Sequence, residues 1–141
     1  MGRRYYNSRR EMKFLNSIFF LVGSLLLLNC QTKISNSLEL INAEELQEIS
    51  NQDGMQLVDV RTPAEYENGH IPNAQNIDFL DPKFEINIQS LDSSKPIIIY
   101  CQRGSRSAKC AAKLIASGFV KVYDLDGGFV QWKLRSLETK N

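Results

Sequence analysis

Histidine occurs once in this chain, at His70, and tryptophan once, at Trp132. Cysteine occurs three times, at positions 30, 101 and 110. Three scattered cysteines make neither a disulfide framework nor a zinc-ligand pattern, and a single histidine adds no second metal-binding group. No metal or other cofactor is expected. Long apolar runs are also lacking. The longest, Phe14 to Leu28, has 15 residues, fewer than the roughly 20 that span a bilayer. Net charge is close to zero, at +1, with 17 Lys/Arg against 16 Asp/Glu. That balance hides an asymmetry: residues 1–30 carry five Lys/Arg against one acid, and residues 31–141 carry twelve against fifteen. The basic excess belongs to the N-terminus, so a nucleic-acid-binding patch is excluded.

What is present divides the chain into three parts. Residues 1–13 are polar and basic, and the apolar run follows them, which is the order of a secretory signal. The run closes as Leu27-Leu28-Asn29-Cys30. This resembles a bacterial lipoprotein signal peptide, with a Leu three residues before a cysteine that is lipidated and becomes the mature N-terminus. Asn29 stands where such signals carry a small residue. Met12-Lys13-Phe14 is a more ordinary signal start than Met1. The resemblance implies an exported protein of a bacterial cell envelope, facing the periplasm and anchored to the membrane by lipid on Cys30. Residues 31–39 are polar and read as a tether. Residues 40–141 form one domain, long enough at about 100 residues to bury a single core.

Within that domain strands alternate with helices. Asn42-Ala43-Glu44-Glu45 has the form of a capping box opening a helix to about Ser50. Gln56 to Val60 reads as a core strand. Thr62 caps a short helix with Pro63 at its first position, and Asn68-Gly69 ends it. A short strand is expected at Ala74 to Ile77, and a helix or irregular crossing at Asp81 to Gln89. Pro96 to Tyr100 is apolar and β-branched, a fully buried strand. Ser105 to Ser117 is rich in Ala, Lys and Leu and reads as a helix that stops at Gly118. Val120 to Leu125 is another strand, and Gly127-Gly128 turns into a last helix running through Trp132. The pattern predicts an α/β fold, a central parallel sheet with helices on both faces.

The chemistry concentrates in Cys101-Gln102-Arg103-Gly104-Ser105-Arg106. This loop lies between a strand's carboxyl end and a helix start, the edge where open α/β sheets bind ligands. Unpaired N–H groups and the helix dipole stabilise an anion there. A thiolate is such an anion, and the setting lowers a cysteine's pKa. Gly104 allows the tight backbone, and Arg103 and Arg106 add positive charge.

The loop resembles the active-site loop of the rhodanese family, Cys-x-x-Gly-x-Arg. Two further stretches match the same family in order. One is Leu57-Val58-Asp59-Val60-Arg61-Thr62-Pro63, with Glu65-Tyr66 and Gly69-His70-Ile71-Pro72-Asn73-Ala74. The other is Gly118-Phe119, with Val122-Tyr123-Asp124-Leu125-Asp126-Gly127-Gly128 and Trp132. The likeness covers about Leu40 to Leu137 and implies a single rhodanese-like domain acting as a sulfurtransferase. Cys101 is then the nucleophile, carrying sulfur as a persulfide from a small anionic donor such as thiosulfate to cyanide or a thiol. The N–H groups of Gln102 to Arg106 ring the persulfide. Arg103 points outward to attract the donor, Arg106 ties the loop down through an acid such as Glu65, and Ser105 caps the helix. Asp59 and Arg61 support the site, with an ion pair at the sheet edge as the equal alternative. His70 and Trp132 are read as structural, and Cys110 as part of a buried helix face. The rival functions are a non-enzymatic binding or sulfur-delivery module, a cysteine phosphatase or arsenate reductase, and a redox thiol. Phosphatase loops are one residue longer, Cys-x5-Arg, to admit a tetrahedral oxyanion.

Overall fold

The computed structural model describes residues 37–141. The signal-like segment, Cys30 and residues 31–36 lie outside the described residues. Five parallel strands form one sheet in the order β1-β5-β4-β2-β3. The strands are β1 (Ser37–Ile41), β2 (Gln56–Asp59), β3 (Gln75–Asn76), β4 (Ile97–Tyr100) and β5 (Lys121–Leu125). The helices are α1 (Ala43–Ile49), α2 (Pro63–Glu67), α3 (Phe84–Asn87), α4 (Ser105–Ala116) and α5 (Gly128–Leu134). A turn of 3₁₀ helix at Ile88–Ser90 continues α3. Among the described residues no helix is long and apolar enough to cross a membrane.

The central strand β4 explains the two-faced core. All four of its side chains are buried, and side chains alternate between the faces of a strand. Ile97 and Ile99 join Cys110, Ala111 and Leu114 of α4 and Phe84 of α3 on one face. Ile98 and Tyr100 join Leu46 of α1 and Phe129 and Trp132 of α5 on the other. A parallel sheet covered on both faces reads as continuous apolar runs for this reason.

The capping box expected at Asn42 forms, and the expected Thr62 cap is completed by Glu65 into a second one. Asn42 accepts from the Glu45 N–H at 2.9 Å while Glu45 accepts from the Asn42 N–H at 2.8 Å. Thr62 accepts from the Glu65 N–H at 3.3 Å, and Glu65 from the Thr62 N–H at 3.0 Å.

The expected tether ends too late. Ser37 to Glu39 belong to β1, which pairs with β5 in register from Ser37 opposite Lys121 to Ile41 opposite Leu125. The reason is position: β1 is an edge strand with Leu38, Glu39 and Leu40 exposed, so its composition resembles a solvated linker. Glu39 is held to Lys121 of β5 at 2.5 Å.

Candidate active site

Cys101 follows the last residue of β4 and is only 1% exposed. The chain then reverses through Gly104, whose φ of +97° lies in the left-handed region. That conformation suits glycine, and it turns the Gly104 N–H onto Cys101 Sγ at 3.1 Å. Burial pushes the thiol's pKa up. Hydrogen bonds from the Ser107 N–H and hydroxyl, and from the N–H groups of Arg103 and Arg106, outweigh it and hold the pKa below the ordinary value. The donor ring is therefore Arg103, Gly104, Arg106 and Ser107. It reaches one residue beyond the expected stretch, into the first turn of α4, because the helix-start amides converge on the sulfur.

Arg106 makes a two-pronged ion pair with Glu65, Nη1 to Oε2 and Nη2 to Oε1, both 2.7 Å. The same carboxylate accepts from the Thr62 hydroxyl at 3.0 Å. The Arg106 bond, with the Thr62 bonds behind it, holds the Glu65 carboxyl near a pKa of about 2 despite partial burial. The guanidinium also interacts with the Cys101 sulfur. Arg106 thus joins the cap of α2 to the loop, as expected, and faces the reactive atom as well. Arg103 is exposed at the crown. Ser105 does not cap α4. It is the first helical residue, Gly104 holds the cap position without a side-chain bond, and Ser105 is exposed.

Asp59 and Arg61 form the buried ion pair, with Arg61 2% exposed and Asp59 fully buried. Arg61 Nη2 lies 2.6 Å from Asp59 Oδ2. The guanidinium also donates to the Gly69 carbonyl at 2.7 Å and to Gln102 Oε1 at 3.2 Å. Its flat face lies 4.0 Å from the Phe129 ring centre. One side chain therefore links β2, the turn after α2, the cysteine loop and α5. Gln102 contributes as an anchor of the loop rather than a donor to the sulfur.

Sequence reasoning missed three contributors. Ser107 is fully buried; its hydroxyl donates to the Gly104 carbonyl at 3.0 Å and braces the loop, and its groups help to hold the Cys101 thiol's pKa down. Asn76 donates to the carbonyls of Asp59 and Arg61 at 3.0 and 2.8 Å, fixing the chain where β2 ends. Gly128 lies against the loop: a Cβ there would stand 2.4 Å from the Cys101 carbonyl oxygen. Its closeness lets the N–H groups of Phe129 and Val130 reach the carbonyls of Cys101 and Gln102, at 2.8 and 3.2 Å. The Gly127-Gly128 pair carries the signal, since two glycines exceed what a turn needs.

The residues read as structural take structural places. His70 stacks on Tyr66 at 3.8 Å, and its backbone exchanges hydrogen bonds with Lys140. Trp132 donates to the Glu138 carbonyl at 2.9 Å. Cys110 is a free thiol on the buried face of α4, and burial pushes its pKa up to about 12.

A parallel α/β sheet that carries a buried, low-pKa cysteine in a loop at its carboxyl edge defines the class: an α/β domain built around one thiol. The family match is direct. The rhodanese-like domain family matches residues 42–135, and the chain belongs to that family. It is 38% identical over 93 residues to the thiosulfate sulfurtransferase GlpE of Pseudomonas syringae, covering 66% of this chain and 85% of that one. It is 34% identical over 100 residues to the GlpE of Pseudomonas paraeruginosa, covering 71% and 88%. Its fold is similar to that of a rhodanese-like domain protein from Staphylococcus aureus, with a TM-score of 0.62 and 33% identity over 73% of this chain and 99% of that one.

Proposed function

We propose that this protein is a rhodanese-type sulfurtransferase that carries sulfane sulfur on Cys101. The observation that carries the reading is the set of loop N–H groups directed at a buried thiol, with the Gly104 N–H 3.1 Å from Sγ. In the first step the Cys101 thiolate attacks the outer sulfur of thiosulfate. A Cys101 S–S bond forms, the donor's S–S bond breaks, and sulfite leaves with the bonding pair. In the second step cyanide or a thiolate attacks the terminal sulfur and releases the Cys101 thiolate. The persulfide is anionic, and preorganised amide donors stabilise it at no reorganisation cost. Exposed Arg103 draws in the doubly negative donor, and Arg106 supplies fixed charge beside the sulfur.

The short loop argues against the phosphatase reading, since Cys101 to Arg106 spans Cys-x4-Arg and suits one sulfur atom. The presence of Cys101 argues against a purely binding role. Thiocyanate formation from thiosulfate and cyanide tests the proposal. Ping-pong kinetics lost in Cys101→Ala, with no hydrolysis of an aryl phosphate, is the expected result. Aryl phosphate hydrolysis without thiocyanate would overturn it. The N-terminal pattern supports a lipid anchor on Cys30 and a periplasm-facing site. Loss of membrane association in Cys30→Ala is expected, and unchanged membrane association would remove that part.

A further inference from the structure

The last residues of the chain lie on the turn that holds Arg61, and the transfer steps above give them no part. α5 ends at Leu134, and the chain doubles back through Ser136, whose φ is +54°. The Trp132 indole N–H then donates to the Glu138 carbonyl at 2.9 Å. Two residues on, Lys140 and His70 exchange backbone hydrogen bonds. The His70 N–H reaches the Lys140 carbonyl at 2.7 Å, and the Lys140 N–H reaches the His70 carbonyl at 2.9 Å. This is an antiparallel bridge of a single residue pair. Gly69 lies beneath it and is buried. A Cβ on Gly69 would stand 3.4 Å from Asn141 Oδ1, 3.9 Å from the Lys140 carbonyl oxygen and 3.9 Å from the Phe129 ring.

From Gly69 the contacts run unbroken to the cysteine loop. Its carbonyl accepts from Arg61 Nη2 at 2.7 Å. That guanidinium lies over the Phe129 ring, and its Nη1 donates to Gln102 Oε1 at 3.2 Å. Gln102 adjoins Cys101, and the Gly104 N–H two residues further is the donor that stands 3.1 Å from Sγ. Gly69 has no side chain to brace it, and its φ of +117° is a glycine conformation. One side of the turn is fixed by α2, through the Gly69 N–H on the Tyr66 carbonyl at 3.1 Å and the His70 ring stacked on Tyr66. The tail fixes the other side. We propose that residues 138–141 are a positioning strap for the active site: they hold the Gly69 carbonyl, which aims Arg61 at Gln102 and so sets the loop N–H groups on the Cys101 sulfur. The proposal rests on the sulfurtransferase reading for its reaction, and on the geometry alone for the link between tail and thiol.

The strap is separable from the core. The side chains of Glu138, Thr139, Lys140 and Asn141 are exposed, so the tail binds through hydrogen bonds and buries no apolar side chain of its own. Segments held this way open at a fraction of the cost of global unfolding. The charged groups around Cys101 lie elsewhere. They are Arg106 of α4 with its partner Glu65 of α2, Arg103 of the loop, and the Asp59–Arg61 pair.

The test is the pH midpoint of Cys101 alkylation by iodoacetamide in the full-length protein, read on the Cys101 peptide by mass spectrometry. The midpoint reports ionisation and is separate from how open the site is. It needs no sulfur donor, so failure of the sulfurtransferase reading shows independently, as a reactive Cys101 that gains no sulfur from thiosulfate. Ending the chain after Leu137 is expected to lower the thiolate fraction below the midpoint about fivefold, the worth of one well-aimed hydrogen bond. That is a rise in the midpoint of about 0.7. Lys140→Pro lacks the N–H that reaches the His70 carbonyl and shifts the midpoint the same way at full chain length. Lys140→Ala keeps the backbone bridge and leaves the midpoint unchanged. In a Gln102→Ala background, where Arg61 has lost its hold on the loop, loss of the strap adds nothing further. An unmoved midpoint in both strap variants, with the far-UV circular dichroism of the parent, would overturn the proposal. So would a shift that persists undiminished in Gln102→Ala.

Discussion

Replacing Gly128 by Ala places a methyl group where the cysteine loop already stands. The added Cβ lies 2.4 Å from the Cys101 carbonyl oxygen and 2.9 Å from the Arg103 nitrogen and the Gln102 carbonyl carbon. All three are backbone atoms that cannot rotate away. Restoring ordinary contact requires the loop and α5 to part by about 1 Å. Residue 128 also has φ of +63°, which costs an L-residue about 1–2 kcal/mol. The hydrogen bonds from Phe129 to Cys101 and from Val130 to Gln102 are stretched or broken, at about 1 kcal/mol each. The expected loss of stability is about 3–4 kcal/mol, read by urea unfolding. The expected loss of transfer rate is about 100-fold, the usual cost of misplacing a reacting group by 1 Å. Gly127→Ala is the control. Its Cβ would meet only the Gln131 side chain, at 2.3 Å, and that side chain can swing clear. Gly127→Ala is then destabilised only by the left-handed backbone cost of about 1–2 kcal/mol and keeps thiol reactivity close to the parent. Equal damage from both substitutions, or a fully active Gly128→Ala, would refute the reasoning.

Other substitutions read the charges. Glu65 has its pKa depressed to about 2 in the folded state from an ordinary 4.5, so its stabilisation is full above pH 4.5 and is lost as pH falls toward 2. Glu65→Gln should cost about 1–2 kcal/mol at pH 7, discounted for partial exposure, and almost nothing at pH 2 by urea titration. Asp124 has the opposite sign: its pKa is raised from 3.8 to about 6, so it costs stability in full above pH 6 and not below 3.8. Asp124→Asn should gain up to about 3 kcal/mol at pH 8, and the gain should vanish at pH 3 in the same titration. Arg61→Met leaves Asp59 charged and buried, for an expected loss of about 3–5 kcal/mol. The double change Asp59→Leu with Arg61→Met should lose less than Arg61→Met alone, by thermal or urea unfolding.

The parts of the site legible in the sequence are those held by local rules. A β-branched run, a glycine and an Ala-rich helix announce the strand, loop and helix around Cys101. Thr62 and Pro63 announce the cap of α2, whereas Glu65 as the partner of Arg106 comes from the family resemblance of the loop. The parts that were not legible are fixed by contacts between distant elements. Ser107 looks like any helical serine until α4 buries it against the loop, where its hydroxyl meets the Gly104 carbonyl. Gly128 reads as turn chemistry, although the close approach of Cys101 is what forbids a side chain there. β1 escaped because an edge strand buries too little to show an apolar pattern.

Sulfur on Cys101 is the claim on which the function stands. Intact mass of the protein before and after thiosulfate, beside Cys101→Ser, tests it most directly. The expected result is a gain of one sulfur atom that is absent in Cys101→Ser and discharged by cyanide. A folded protein with a reactive Cys101 that gains no sulfur from thiosulfate or mercaptopyruvate would contradict it.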